Sequence, residues 1–390
     1  MHGLDAIDRE WMTHLLRRAL AYPSPQTADL EADPRMAAFI RDVVIPEAEA
    51  LGPDRLHVDR MGNVLAQWGH GIPALALAIY AMTHPQTTMA DAFTPTIVDG
   101  GAHGVAGSVM RGRGACEQKG AMAAALAGLR AALGAGAARR APLALVALTS
   151  GETGRPDAIR HLLEETGARF DLLIVACGTG NRICLAQKGR LDVDIVVRGR
   201  QSHSSMPWQG LNALEGAATV LTRLAAHKTL GEHPRLGPIT LTPTALETAP
   251  RATHTVPAVA RITVDRRLAP GDEPEGALAE LRAFVGDLAP FEVAYQAGPY
   301  MYAYELSAED RLPRLLRQGF ARAVGRPAEY MYASGGLDAG YLNRHGTESL
   351  MFGPGDLTLA HTADDVVSLA DCAEAAAVYA DAALTVGGRA

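Results

Sequence analysis

Cysteine is scarce. The 390-residue chain has four, Cys116, Cys177, Cys184 and Cys372, with no CxxC spacing among them. That argues against a secreted disulfide framework and favours free thiols in a reducing compartment. Long apolar runs are missing too. The longest, "IPALALAIYAM", is about half the ~20 residues a membrane-spanning helix needs. The opening "MHGLDAIDREWMTHLL" lacks a basic region leading into an apolar core and a small-residue cleavage site, so the chain is expected in the cytoplasm. Basic residues are scattered and the net charge is −7, which points away from nucleic acid and anionic membranes and toward a small-molecule substrate. Internal repeats and low-complexity linkers are also lacking. What is present is a 48% hydrophobic composition, enough for a sizeable core divided between two domains.

Three β-type runs end in polar residues: "ALALAIYAMTH" at His84, "LALVALTSGE" at Glu152 and "DLLIVACG" at Cys177. Separated by helix-like segments such as "KGAMAAALAGLRAAL" and "RPDAIRHLLEETG", they predict a mostly parallel sheet covered by helices. A fourth run, "ESLMFGPG", leads into the loop of His361. Ligands of such sheets bind beyond the carboxyl ends of the strands. From about residue 190 the pattern changes. "RLDVDIVVRG" alternates, a helix follows with Leu214, Ala218, Leu221 and Leu224 in register, then strands near "PITLTPT" and "ARITVDRRL", a helix with Leu278, Leu281 and Val285, and "FEVAYQ". That βαββαβ order describes an α+β, ferredoxin-like insert over residues 190–297.

His84, Glu117, Glu152, Cys177 and His361 form the candidate constellation, because mixed N, O and S donors at strand ends suit a divalent metal, zinc best. Each has a structural reading beside the functional one. A lone strand-end histidine is commonly structural, Glu152 can favour the start of the following helix, and Cys177 can be a small buried apolar residue.

"RGRGACEQKGAMAAAL" resembles the GRGxxDxKGG segment of the co-catalytic di-zinc metallopeptidase and amidohydrolase family of carboxypeptidase G, acetylornithine deacetylase, succinyl-diaminopimelate desuccinylase and the aminoacylases. "LHVDRMGNVLAQWG", "YAMTHPQT", "DAFTPTIVDG", "TSGETG", "GRQSHSSMPWQGLNALEGA", "SGGLDAGYL" and "FGPGDLTLAHTADDVV" follow the same family in order. The resemblance implies an α/β catalytic domain in two pieces, residues 1–189 and 298–390, with 190–297 as an inserted lid and dimerisation domain. It also implies a homodimer and one or two zinc ions per chain, manganese being the second choice. The ligand positions fall on His84, Glu117, Glu152, Cys177 and His361, and the histidine that polarises the reacting group across the dimer on His203. Substrate contacts fall on His254, Arg267, Gly335 and Gly336.

The chain also departs from the family. Gln86 stands where an aspartate orients the first histidine, Glu117 where the bridging aspartate is expected, Cys177 where a carboxylate is expected, and Gly151 where the general base is expected, leaving Glu152 at the ligand position. A thiolate makes the metal a weaker Lewis acid, and a missing base typically costs about 100-fold to 10,000-fold in rate. Three functions remain open: metal-dependent hydrolysis of an amide or related C–N bond, a site rebuilt for another hydrolytic or lytic reaction on an aromatic or cyclic substrate, and a binding homologue without catalysis.

Overall fold

The computed structural model describes residues 3–27, 29, 32–84, 88–151 and 156–387. The chain divides into two compact units, one of residues 1–185, 306–331 and 337–390, the other of residues 186–305 and 332–336.

The first unit is built on a six-stranded sheet in the order Arg55–Val58, Val64–Trp68, Leu143–Leu148, Leu75–Tyr80, Leu172–Ala176, Glu348–Phe352. The last four are mutually parallel, and the first two form an antiparallel hairpin at one edge. Every residue of Leu75–Tyr80, Leu143–Leu148 and Leu172–Ala176 is buried, as continuous apolar strands require. Helices Gly120–Gly134, Arg9–Leu20, Arg311–Ala323 and Leu369–Thr385 pack on this core and on one another. Gly120–Gly134 is rich in alanine and meets Leu369–Thr385 closely; a Cβ added to Gly128 would lie 2.5 Å from the Ala376 carbonyl. Because the four parallel strands run the same way, Tyr80, Leu148, Ala176 and Phe352 end on one side of the sheet, and the chain leaving each strand begins there.

The second unit is an antiparallel sheet in the order Thr229–His233, Gly237–Ala249, Val259–Leu268, Gly189–Arg198, Glu292–Met301. Helices Ala213–Leu224 and Pro274–Val285 complete its core with Val193, Ile195, Val197, Ile262 and Val264. The expected βαββαβ order is present, with the short edge strand Thr229–His233 added. The predicted stripe on the first helix holds in its last turn, where Leu224 is buried and Leu221 packs against the core, and fails in the first turns, where Leu214 and Ala218 are exposed. Ala213, Gly216, Ala217, Val220 and Leu224 are buried, while Leu214 is 42% exposed. The reason is close approach: a Cβ at Gly216 would lie 2.9 Å from Val197 Cγ1 and 3.0 Å from Phe291 Cδ1. The smallest residues of the first turns therefore face the sheet, and Leu214 turns outward.

Among the described residues no helix is long and apolar enough to cross a membrane.

Candidate active site

Glu117 sits in a wide helical turn, Ala115–Lys119, that feeds helix Gly120–Gly134. Gly114 enters the turn at φ 85, and a Cβ there would meet Thr83 Cγ2 at 2.6 Å, so only glycine fits. The turn is held by a buried carboxylate. Asp365 accepts from Gly114 N at 2.6 Å, Cys116 N at 2.9 Å and Arg113 Nη1 at 3.1 Å, while Arg113 Nη2 donates to the Thr362 carbonyl at 2.9 Å. Asp365 and Arg113 are each 1% exposed. Burial raises the Asp365 carboxyl above its usual range, and the Cys116 and Gly114 amides oppose that rise. Lys119 fastens the same turn on its other side, donating to the Ala19 and Tyr22 carbonyls at 2.8 and 2.7 Å. Neither Arg113 nor Asp365 stands out in the sequence reading. The available signal is an arginine between two glycines in "RGRG" and paired aspartates just before the buried strand Val366–Ser368.

Thr362 places His361 beside this turn. His361 has φ 64, left-handed backbone that a non-glycine residue adopts at a cost of about 1–3 kcal/mol and that clusters at functional positions. Its Nε2 lies 3.1 Å from Glu117 Oε2, and its ring stacks on that of His84 with centroids 3.8 Å apart and planes 28° from parallel. Four residues past Tyr80, His84 is positioned by its neighbour Thr83, whose amide donates to the Ser24 carbonyl and whose carbonyl accepts from Gln26 N, each at 2.8 Å. His84, Glu117 and His361, 277 residues apart at the extremes, therefore meet.

Cys177 follows strand Leu172–Ala176 directly and is 2% exposed. Burial pushes its thiol well above the ordinary range, and the neighbouring Cys184 and Glu117 push it the same way. Ligation by Cys177 thus requires a cation to displace its proton. Glu152 and Gln86 lie outside the described residues. Among the described residues, no group of three or more His, Cys, Asp and Glu side chains is already arranged to hold a metal ion. In kind, two imidazoles and a carboxylate are nevertheless the donors that catalytic zinc takes.

Gly151 explains the missing side chain at its position. A Cβ there would lie 2.4 Å from Tyr80 Cε1 and 2.7 Å from Cδ1, so the Tyr80 ring occupies the volume a side chain would enter. The phenol is buried and fixed at its tip, donating to Asp338 Oδ2 at 2.7 Å and accepting from Asp338 N at 3.4 Å. Burial, then the Asp338 and Cys177 charges, raise its pKa well above the usual value. Asp338, 1% exposed, is pushed up to about 7 by burial, against the lowering effect of the Tyr80 hydrogen bond. Nothing in the sequence singles out Tyr80.

The other expected site residues lie in the second unit. His203 pairs with Thr255 in a two-residue bridge of strands, its Nδ1 lies 2.8 Å from Ser205 Oγ, and its ring centroid is 6.1 Å from that of His254. Both histidines are exposed. Arg267 is clamped by Asp265 through Nε and Nη2 at 2.9 and 3.1 Å and reaches the Ser334 carbonyl at 3.3 Å. A Cβ at Gly336 would lie 2.7 Å from the Lys188 carbonyl, whereas Gly335 has open space.

Residues 185–292 match a peptidase dimerisation domain. Over 328 residues the chain is 30% identical to acetylornithine deacetylase of Myxococcus xanthus, covering 82% of each chain. It is 26% identical to succinyl-diaminopimelate desuccinylase of Xanthomonas campestris over 363 residues, 89% of this chain and 92% of that one. Among solved structures, an M20 family metallo-carboxypeptidase from Sulfolobus solfataricus superposes with a TM-score of 0.77 at 16% identity, covering 96% of this chain and 99% of that one.

Proposed function

Because the chain belongs to the M20 family of metallopeptidases and related amide hydrolases, we propose that it is a metal-dependent hydrolase of an amide or related C–N bond in a small molecule. It works as a homodimer joined through the 190–297 insert. The observation that carries this reading is the meeting of His84, Glu117 and His361 beside the carboxyl ends of the parallel strands. These three would hold a divalent ion, zinc first and manganese second, at one or two per chain, with Glu152 and Cys177 as further donors. When bound, such an ion polarises a carbonyl and brings the pKa of water toward about 7.

His203 supplies a donor. The Ser205 amide donates to Nδ1 at 3.2 Å, which leaves the proton of the neutral ring on Nε2. From the insert, that N–H polarises the reacting group in the partner's site. His254, Arg267, Gly335 and Gly336 read the rest of the substrate, with Arg267 held straight by Asp265. Proton handling differs from the family pattern, since residue 151 has no side chain.

The test is elemental analysis of the purified protein together with amine release from a panel of N-acyl amino acids. Bound zinc that is lost in His84→Ala and His361→Ala, with amine release that falls alongside, supports the reading. A protein that binds no zinc or manganese, or a zinc-loaded protein that releases no amine from any panel member, overturns it.

A further inference from the structure

Hydrolysis of an amide requires a group that takes a proton from the attacking water and returns one to the leaving nitrogen. Gly151 offers none, and the carboxylates beside the strand ends are committed to different degrees. Glu117 is engaged with His361. Asp365 is filled by two amides and a guanidinium. Asp338 alone of the three keeps an oxygen in reserve: Oδ2 accepts from Tyr80, while Oδ1 is buried with no hydrogen-bond partner.

Two more buried polar atoms at this end of the sheet, Ser150 Oγ and Thr83 Oγ1, also have no hydrogen-bond partner. Buried polar groups are nearly always paired. Ser150 and Thr83 lie on the segments that leave the adjacent parallel strands Leu143–Leu148 and Leu75–Tyr80, and Asp338 is hydrogen-bonded to Tyr80 at the end of the latter; the three mark the place where a water or a polar substrate group is received.

We propose that Asp338, aimed by Tyr80, is the proton acceptor and donor of the hydrolytic reaction, taking over what a side chain at position 151 would otherwise do. The inference rests on the reading of the chain as an amide hydrolase. Two observations join Asp338 to the site. The Tyr80 ring fills the space above Gly151. Its phenol, on the strand that runs four residues on to His84, donates to Asp338 Oδ2 at 2.7 Å.

In the reaction, ionised Asp338 takes a proton at Oδ1 as the water oxygen bonds to the amide carbon. The C–N bond then breaks, the proton passes to the departing nitrogen, and the carboxylate is restored. Water is the only co-reactant and nothing is oxidised. The groups facing Asp338 are Tyr80, whose hydrogen bond favours the ionised form, and Asp157, whose charge opposes it. With burial dominant, the carboxyl titrates near neutrality, where an acid–base group exchanges protons in both directions.

The experiment compares wild type, Asp338→Asn, Tyr80→Phe and Glu152→Gln, all zinc-loaded, by pH profiles of amine release from the N-acyl amino acid panel. An infrared titration of the protonated-carboxyl band is run in parallel. Asp338→Asn is expected to lose kcat by about 100-fold to 10,000-fold with KM and zinc content kept, and to delete one titrating band. Tyr80→Phe keeps the ring over Gly151 but removes the hydrogen bond to the carboxylate. It is expected to move both the infrared midpoint and the acid limb of kcat/KM to higher pH together. This second variant decides the matter if Asp338→Asn does not fold. An Asp338→Asn kcat close to wild type, an acid limb that stays put while the infrared midpoint moves, or an acid limb that disappears in Glu152→Gln overturns the assignment while leaving the amide-hydrolase reading intact. A wild type that releases no amine from any panel member overturns both.

Discussion

Replacing Gly151 by alanine adds one methyl group where the Tyr80 ring already lies. The new carbon would sit 2.4 Å from Cε1, about 1 Å inside an ordinary carbon–carbon contact. The ring has little freedom to yield, since it is buried and its hydroxyl is held at 2.7 Å by Asp338. Overpacking of this kind costs about 1–3 kcal/mol, and the pinned ring places Gly151→Ala near 3 kcal/mol. Tyr80→Ala alone leaves a cavity and costs about 3–5 kcal/mol. In the double variant the methyl enters the vacated volume, so the two losses should fall short of additivity by about 3 kcal/mol. Urea denaturation followed by the fluorescence of Trp68, buried in the same sheet, measures all four corners of the cycle. A Gly151→Ala loss below about 0.5 kcal/mol, or additivity within that margin, refutes the claim that the two positions exclude each other.

Asp338 binds its proton more tightly folded than unfolded, about 7 against 3.8, so its ionisation removes stability as pH rises from about 4 through 7. Stability curves should therefore show Asp338→Asn gaining on wild type across that window, by on the order of 4 kcal/mol at most. Asp365→Asn removes the carboxylate charge that faces the buried Arg113 guanidinium and should cost about 3–5 kcal/mol in the same denaturation assay. His203→Ala should lower kcat by about 100-fold while zinc content, read by elemental analysis, stays unchanged. On the insert, Gly216→Val should destabilise by more than about 1 kcal/mol while Leu214→Gln stays within about 0.5 kcal/mol. Equal effects on thermal unfolding would contradict the observed helix phase.

The parallel sheet is legible in the sequence because its strands are short, uninterrupted apolar runs, each closed by a polar residue, and a shared direction brings those closures to one side. Covering helices and the alternating strands of the insert are legible for the same reason of period. Phase is not. On helix Ala213–Leu224 two stripes have helical spacing, and only the distance to Val197 and Phe291 decides that alanine and glycine face inward. Tyr80 is equally silent as a letter, one residue among others in an apolar run, because its partner Asp338 lies 258 positions away. Gly151 reads as a loss until the ring above it is seen. Arg113 and Asp365 escape notice because solvated charges are common and only burial makes a pair structural.

The arginine–aspartate pair beneath the Glu117 turn also reaches the Thr362 carbonyl, one residue past His361. Two prospective donors from opposite ends of the chain are thereby mounted on one bracket whose assembly belongs to folding rather than to ion capture. An arriving cation would find that distance already set and would have little ordering left to impose. Stripping it with a chelator should leave the bracket standing.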